Sequence, residues 1–127
     1  IVPKIYLKGV YFMPVDTENK YTLCPKFTKT FGILGRKWNG LIIEVLLEKG
    51  PQRFRNLADS VDKCSDRVMV ERLKELEDEG LVERMAQPGS TRVLYKLTPQ
   101  GEDLKEIMSD IHKWSDKWYS VEDCANS

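Results

Sequence analysis

Cys24 stands directly before Pro25, with Lys26 and Lys29 close behind and an apolar helical pattern following in CPKFTKTFGIL. A thiol at a helix start lies beside unpaired backbone N–H groups and the positive end of the helix dipole. Pro25 brings no N–H, but the amides of Lys26 and Phe27 are available, and the two lysines add positive charge within one turn. Such a setting can be expected to stabilise thiolate over thiol. A partly exposed thiolate adds to quinones and other electrophiles, or oxidises to a sulfenic acid or a disulfide. The residues alone leave a second reading open, in which Cys24 is a small, inert interface residue.

The other reactive side chains offer less. Cys64 precedes a helical segment and reads as packing; Cys124 lies in the polar run YSVEDCANS. His112 is the single histidine and has no companions at metal-ligand spacing, so no metal site is expected. No phosphate loop, catalytic carboxylate pair or nucleophile triad is present, so the chain reads as a non-enzyme that needs no cofactor. Trp114 and Trp118, with Ile107, Met108 and Ile111, form an apolar stripe that suits core or dimer packing, or an aromatic pocket for a planar ligand.

The 127 residues suit one domain with 41% hydrophobic and 31% charged residues, the balance of an ordinary globular protein. No apolar run reaches the ~20 residues of a membrane helix, and no secretory signal pattern is visible. Three cysteines without a CxxC pair suit a reducing, cytoplasmic setting. The net charge of zero conceals an uneven distribution: residues 25–58 carry seven Lys or Arg against two Glu, whereas later segments are acidic. A basic face is a local property, so DNA binding is compatible with neutrality.

The elements that must position these residues follow from turn and cap signals. Residues 1–23 read as an N-terminal extension, with β-prone residues interrupted by Pro3 and Gly9, a polar loop, and a translation start at Met13 as one possibility. An intact mass that includes residues 1–12, measured on protein from its own gene, would reject that start. A first helix runs from Pro25 to about Leu34, and a second spans Trp38–Glu48, with Leu41, Ile42, Val45 and Leu46 at helical spacing, before Gly50 and Pro51. A third, short helix covers Phe54–Val61, and Ser65 caps a fourth from Asp66 to Glu79, closed by Gly80. Strands Leu81–Ala86 and Arg92–Leu97 flank the Pro88-Gly89 hairpin signal. Thr98-Pro99 opens a last helix to about Tyr119, and a polar tail occupies 120–127.

This order, mainly helical with one small hairpin, is that of a winged helix-turn-helix over residues 24–119. On the fourth helix, Met69, Leu73 and Leu76 share one face, while Arg67, Val70, Glu71 and Lys74 project from the other. Arg67 and Lys74 suit guanine edges or phosphates, and Val70 a thymine methyl. Ser65 can donate to a phosphate, and Thr91 and Arg92 at the hairpin tip suit the minor groove or its phosphates. Arg53 and Arg55 read as phosphate clamps; Asp66 would repel a phosphate near the helix start. Charged helix faces are often merely solvated, and some winged helices bind proteins, so that alternative stays open.

The stretches GRKWNGLIIEVLLEKGPQRFRNLADSV, CSDRVMVERLKELEDEGLVERM and RVLYKLTPQG resemble the HxlR-type bacterial transcription regulators over residues 24 to about 118. Departures are Met69 for the usual Leu, Val70 for Thr or Ser, and Cys64 for an apolar residue. The resemblance implies a homodimeric winged-helix repressor of double-stranded operator DNA, dimerising through its first and last helices. CPK followed by GRKWNGLI is most similar to the redox-sensing branch, which implies sensing of quinones or oxidants by an adduct at Cys24. It also implies that Cys124 of one subunit could pair with Cys24 of the other, although the spacing is not a close match. A regulator that answers a small ligand instead, or a thiol-dependent peroxidase, are the rival readings.

Overall fold

A computed structural model describes residues 5–7, 10–12 and 21–125, so the proposed start at Met13 lies outside the described residues. The chain divides into two units, Ile1–Gly32 and Ile33–Ser127. In the first, β1 (Ile5–Leu7) and β2 (Val10–Phe12) pair antiparallel, with Leu7 opposite Val10. Gly9, read as an interruption, lies outside the described residues. The first helix, α1 (Pro25–Leu34), begins in this unit and buries none of its residues.

The second unit holds the core. Helices α2 (Asn39–Lys49), α3 (Phe54–Ser60) and α4 (Asp66–Asp78) precede the hairpin of β3 (Val82–Ala86) and β4 (Val93–Leu97). Ile42, Ile43 and Leu46 of α2 meet Leu57 of α3, the Met69, Leu73 and Leu76 face of α4, and Leu81, Val82 and Leu97 of the hairpin. Burying each large apolar side chain contributes about 1.5–3 kcal/mol. Leu41, part of the apolar pattern in the sequence, instead faces outward and is half exposed.

Caps set the helix ends. Ser65 Oγ accepts from the Val68 N–H at 3.2 Å, the expected cap of α4. At the other end, Gly80 sits at φ 80°, and the N–H groups of Gly80 and Leu81 reach the carbonyls of Glu77 and Leu76. This is a Schellman stop, with Leu81 and Leu76 both buried. Pro88 and Gly89 (φ 71°) occupy the centre of the hairpin turn, closed by Ser90 N–H donating to Gln87 O.

Three features go beyond the sequence reading. Gln52 exchanges both backbone hydrogen bonds with Tyr95, so α3 is tied to β4 by a one-residue bridge. The single last helix is two: α5 (Pro99–Glu102) and α6 (Lys105–Trp118). Between them Leu104 N–H bonds back only three residues, to Gly101 O, because the first turn is pinned by its packing. Thr98 N–H donates to Leu81 O, and Thr98 Oγ1 donates to Gly80 O while accepting from Gly101 N–H. The polar tail contains a further turn, α7 (Val121–Cys124), capped reciprocally by Ser120 and Asp123. The Ser120 N–H and hydroxyl hold the Asp123 carboxyl below its usual range.

Candidate nucleic-acid interface and thiol site

Helix α4 carries the outward set as its pattern predicts. Arg67 is nearly fully exposed, Val70 is 55% exposed, and Glu71 and Lys74 face solvent. An exposed valine amid charges has no packing role there and suits an apolar base edge. Arg67 Nε is 4.0 Å from Glu71 Oε1, too loose to occupy its guanidinium. Thr91 and Arg92 are exposed at the hairpin tip.

Arg53 and Arg55 have partners that the sequence did not reveal. Arg53 Nη2 donates to Gln87 Oε1 at 3.0 Å and so joins the start of α3 to the hairpin turn. Arg55 Nη2 lies 2.6 Å from Asp66 Oδ2, with Asp59 at 3.8 Å from Nη1. The hydrogen bond and charge of Asp66 hold the Arg55 guanidinium above its ordinary pKa. A phosphate would therefore compete with Asp66 for Arg55. Asp66→Asn is expected to tighten DNA binding several-fold and to steepen its salt dependence by about one ion. Fold stability should fall slightly, by about 0.5 kcal/mol, because a helix-start charge is lost. Salt-titrated anisotropy with thermal unfolding checks both; an unchanged slope would show that Arg55 does not reach phosphate.

The sequence reading missed the anchor of α4. Asn39, fully buried at the start of α2, donates through Nδ2 to Ile33 O (2.9 Å) and Glu75 Oε1 (2.8 Å). Arg36 Nε sits 3.5 Å from Glu75 Oε2, and Arg72 Nε donates to Lys37 O at 3.1 Å. The loop ahead of α2 thus clamps the back of α4, and Trp38 within it takes φ 82°, an unusual value for a bulky residue. The only hint was three polar or charged residues around a tryptophan in GRKWNG.

The thiols differ in surroundings. Cys24 is exposed immediately ahead of α1, and its carbonyl accepts from Thr28 N–H (3.0 Å) and Thr28 Oγ1 (3.1 Å). The carbonyl therefore makes the first helical bond, as a capping residue's does. Cys64 is 4% exposed, its Sγ donates to Ser65 O, and burial pushes its thiol pKa up, as suits packing. Cys124 is exposed, its Sγ 3.4 Å from Ser120 O.

Helix α6 buries none of its residues; Trp114 and Trp118 are 56% and 61% exposed, and the Trp114 ring meets Tyr119 edge-on. His112 Nε2 contacts Glu44 Oε2, beside a cleft of about 370 Å³ lined by Trp38, Leu41, Met108 and Ile111. Among the described residues no group of three His, Cys, Asp or Glu could hold a metal, and no helix is long and apolar enough to cross a membrane.

A capped helix with an outward polar face, α2 and α3 packed behind it and a two-stranded wing define a winged helix-turn-helix protein. Residues 33–123 match the HxlR-like helix-turn-helix family, and the chain belongs to that family of transcriptional regulators. It is 40% identical over 98 residues to the HTH-type transcriptional regulator YodB of Bacillus subtilis, covering 76% of this chain and 87% of that one. It is 42% identical over 101 residues to YvaP of the same organism, covering 79% and 93%. Among solved structures, reduced YodB superposes with a TM-score of 0.69 at 38% identity (79% of this chain, 98% of that one). Quinone-bound YodB gives 0.67 at 38% identity (76% and 100%). The redox regulator HypR in its oxidised form gives 0.67 at 26% identity (76% and 99%).

Proposed function

We propose that this regulator represses transcription as a cytoplasmic homodimer on an operator with two half-sites, and releases it when Cys24 is modified. The observation that carries the reading is the exposed Cys24 thiol at the start of α1 in a chain similar to YodB, of which a quinone-bound structure exists. The Cys24 thiolate adds to a ring carbon conjugated to a quinone carbonyl. An S–C bond forms as the ring C=C π bond breaks, the electron pair moves to the oxygen and is protonated, and the proton on the attacked carbon shifts to the second oxygen to leave a hydroquinone thioether. Helix α1 exposes Phe27 and Phe31, and α6 exposes Ile107, Ile111, Trp114 and Trp118, apolar surface that dimerisation would cover. Half-sites about one helical turn apart make binding sensitive to the separation of the two α4 helices. Modification at a dimer interface changes that separation.

The test is binding of wild type and Cys24→Ser to promoter DNA upstream of its own and neighbouring genes, at fixed salt, with and without a quinone. Both proteins are expected to bind, and only the wild type to be released. In non-reducing electrophoresis after diamide, a cross-linked dimer band should vanish in Cys24→Ser and in Cys124→Ser; a band surviving both would sink the disulfide.

A second reading draws on the cleft between α2 and α6. Its apolar walls and the Glu44–His112 pair suit a small planar ligand. Release of wild type and Cys24→Ser alike would favour it. Absence of DNA binding, or binding that does not weaken with salt, would favour a protein-binding winged helix.

A further inference from the structure

A groove of about 290 Å³ runs between α4 and the wing; it brings Val70 and Lys74, read from the sequence as DNA contacts, together with Arg84 and Tyr95, which were not. One wall is a helical stripe of Val70, Leu73, Lys74 and Glu77, spaced at three and four residues. The other wall is Arg84 of β3 and Tyr95 of β4, which sit directly opposite each other in the hairpin and therefore share a face.

The chemistry of this groove is that of an anion seat. Lys74 is exposed at its rim, and among the described residues neither its ammonium nor the Tyr95 hydroxyl has a hydrogen-bond partner. Tyr95 is half-buried and rigidly placed, because both of its backbone hydrogen bonds go to Gln52. Burial pushes its phenol pKa up, so it remains a neutral donor at physiological pH. The groove's one carboxylate, Glu77, is engaged by Arg84 Nε at 3.1 Å, which holds the guanidinium in place and leaves its outer N–H groups to spare. Its lining is more polar than that of the cleft between α2 and α6. The groove also adjoins Val70, the apolar residue on the outward face of α4.

We propose that this groove seats a backbone phosphate of the bound DNA, with Lys74 as its charge partner, the Tyr95 hydroxyl as a fixed donor and Arg84 beside them. The inference rests on the DNA-binding reading above. It makes the wing a positioning element along its length as well as at its Arg92 tip.

The test is anisotropy of the promoter duplex and of a scrambled duplex of equal length, across a salt series. Tyr95→Phe keeps the ring and is expected to bind both duplexes roughly tenfold more weakly. Its salt slope should stay at the wild-type value, because no charge is lost. Lys74→Gln is expected to weaken both and to lower the salt slope by about one. Thermal unfolding confirms that each variant folds; were Tyr95→Phe to unfold, the Lys74→Gln slope decides alone. Wild-type affinity in folded Tyr95→Phe, or a loss confined to the promoter duplex in either variant, would overturn the phosphate seat. Wild type binding neither duplex would overturn the DNA reading, and the seat with it.

Discussion

Gly101→Ala is expected to lower stability by about 3 kcal/mol, more than most single substitutions in a domain of this size. Gly101 is buried in the first turn of α5. A Cβ there would overlap the carbonyl oxygen of Leu81 and stand 2.9 Å from Leu97 Cδ2. The carbonyl cannot retreat easily, since it accepts from Thr98 N–H at 3.0 Å at the junction of α4 and the wing. Relief requires α5 to lift from the hairpin, and α6, which follows after a two-residue turn, to lift with it. Urea unfolding measures the loss. A variant as stable as wild type would show that the α5 contact yields without cost.

That residue also marks where sequence reading stops. Pro25, Ser65, Gly80 and the Pro88-Gly89 pair act on their own neighbours, so the helix starts, the α4 stop and the hairpin follow from local rules. The break after α5 does not, because Leu81 and Leu97, which crowd Gly101, are supplied by other elements. The same holds for charge. Arg55 is a free cation to any count of residues, yet Asp66 neutralises it through the fold. Tyr95 lies within the strand expected over Arg92–Leu97, but its place in a groove depends on Gln52 and on α4. The outward placement of Arg67, Val70 and Lys74 was legible because helical periodicity alone sets them opposite a buried face.

Asn39→Asp is the sharper probe of how α4 is held. The substitution keeps size and shape but removes the Nδ2 donor that joins Ile33 O to Glu75 Oε1, 36 residues away in sequence. In its place stands a buried carboxylate facing another carboxylate, a group that disfavours its own ionisation through both burial and like charge. At neutral pH the variant is expected to lose about 3 kcal/mol relative to wild type, since a buried charge is left without a partner. The pH dependence fixes the cause. The carboxyl's folded-state pKa is raised above its unfolded value of about 3.9, so the penalty is full above the folded value and shrinks as pH falls towards the unfolded one. Urea unfolding of both proteins across that range should show the gap narrowing with acidity, while Asn39→Ala, which only loses the donor, keeps a constant and smaller deficit of about 1–2 kcal/mol. DNA affinity should fall with the anchor, because α4 presents Arg67 and Lys74 only while its back is clamped to the loop. A pH-independent gap would mean that the introduced carboxylate reaches solvent, so that neither burial nor Glu75 raises its pKa.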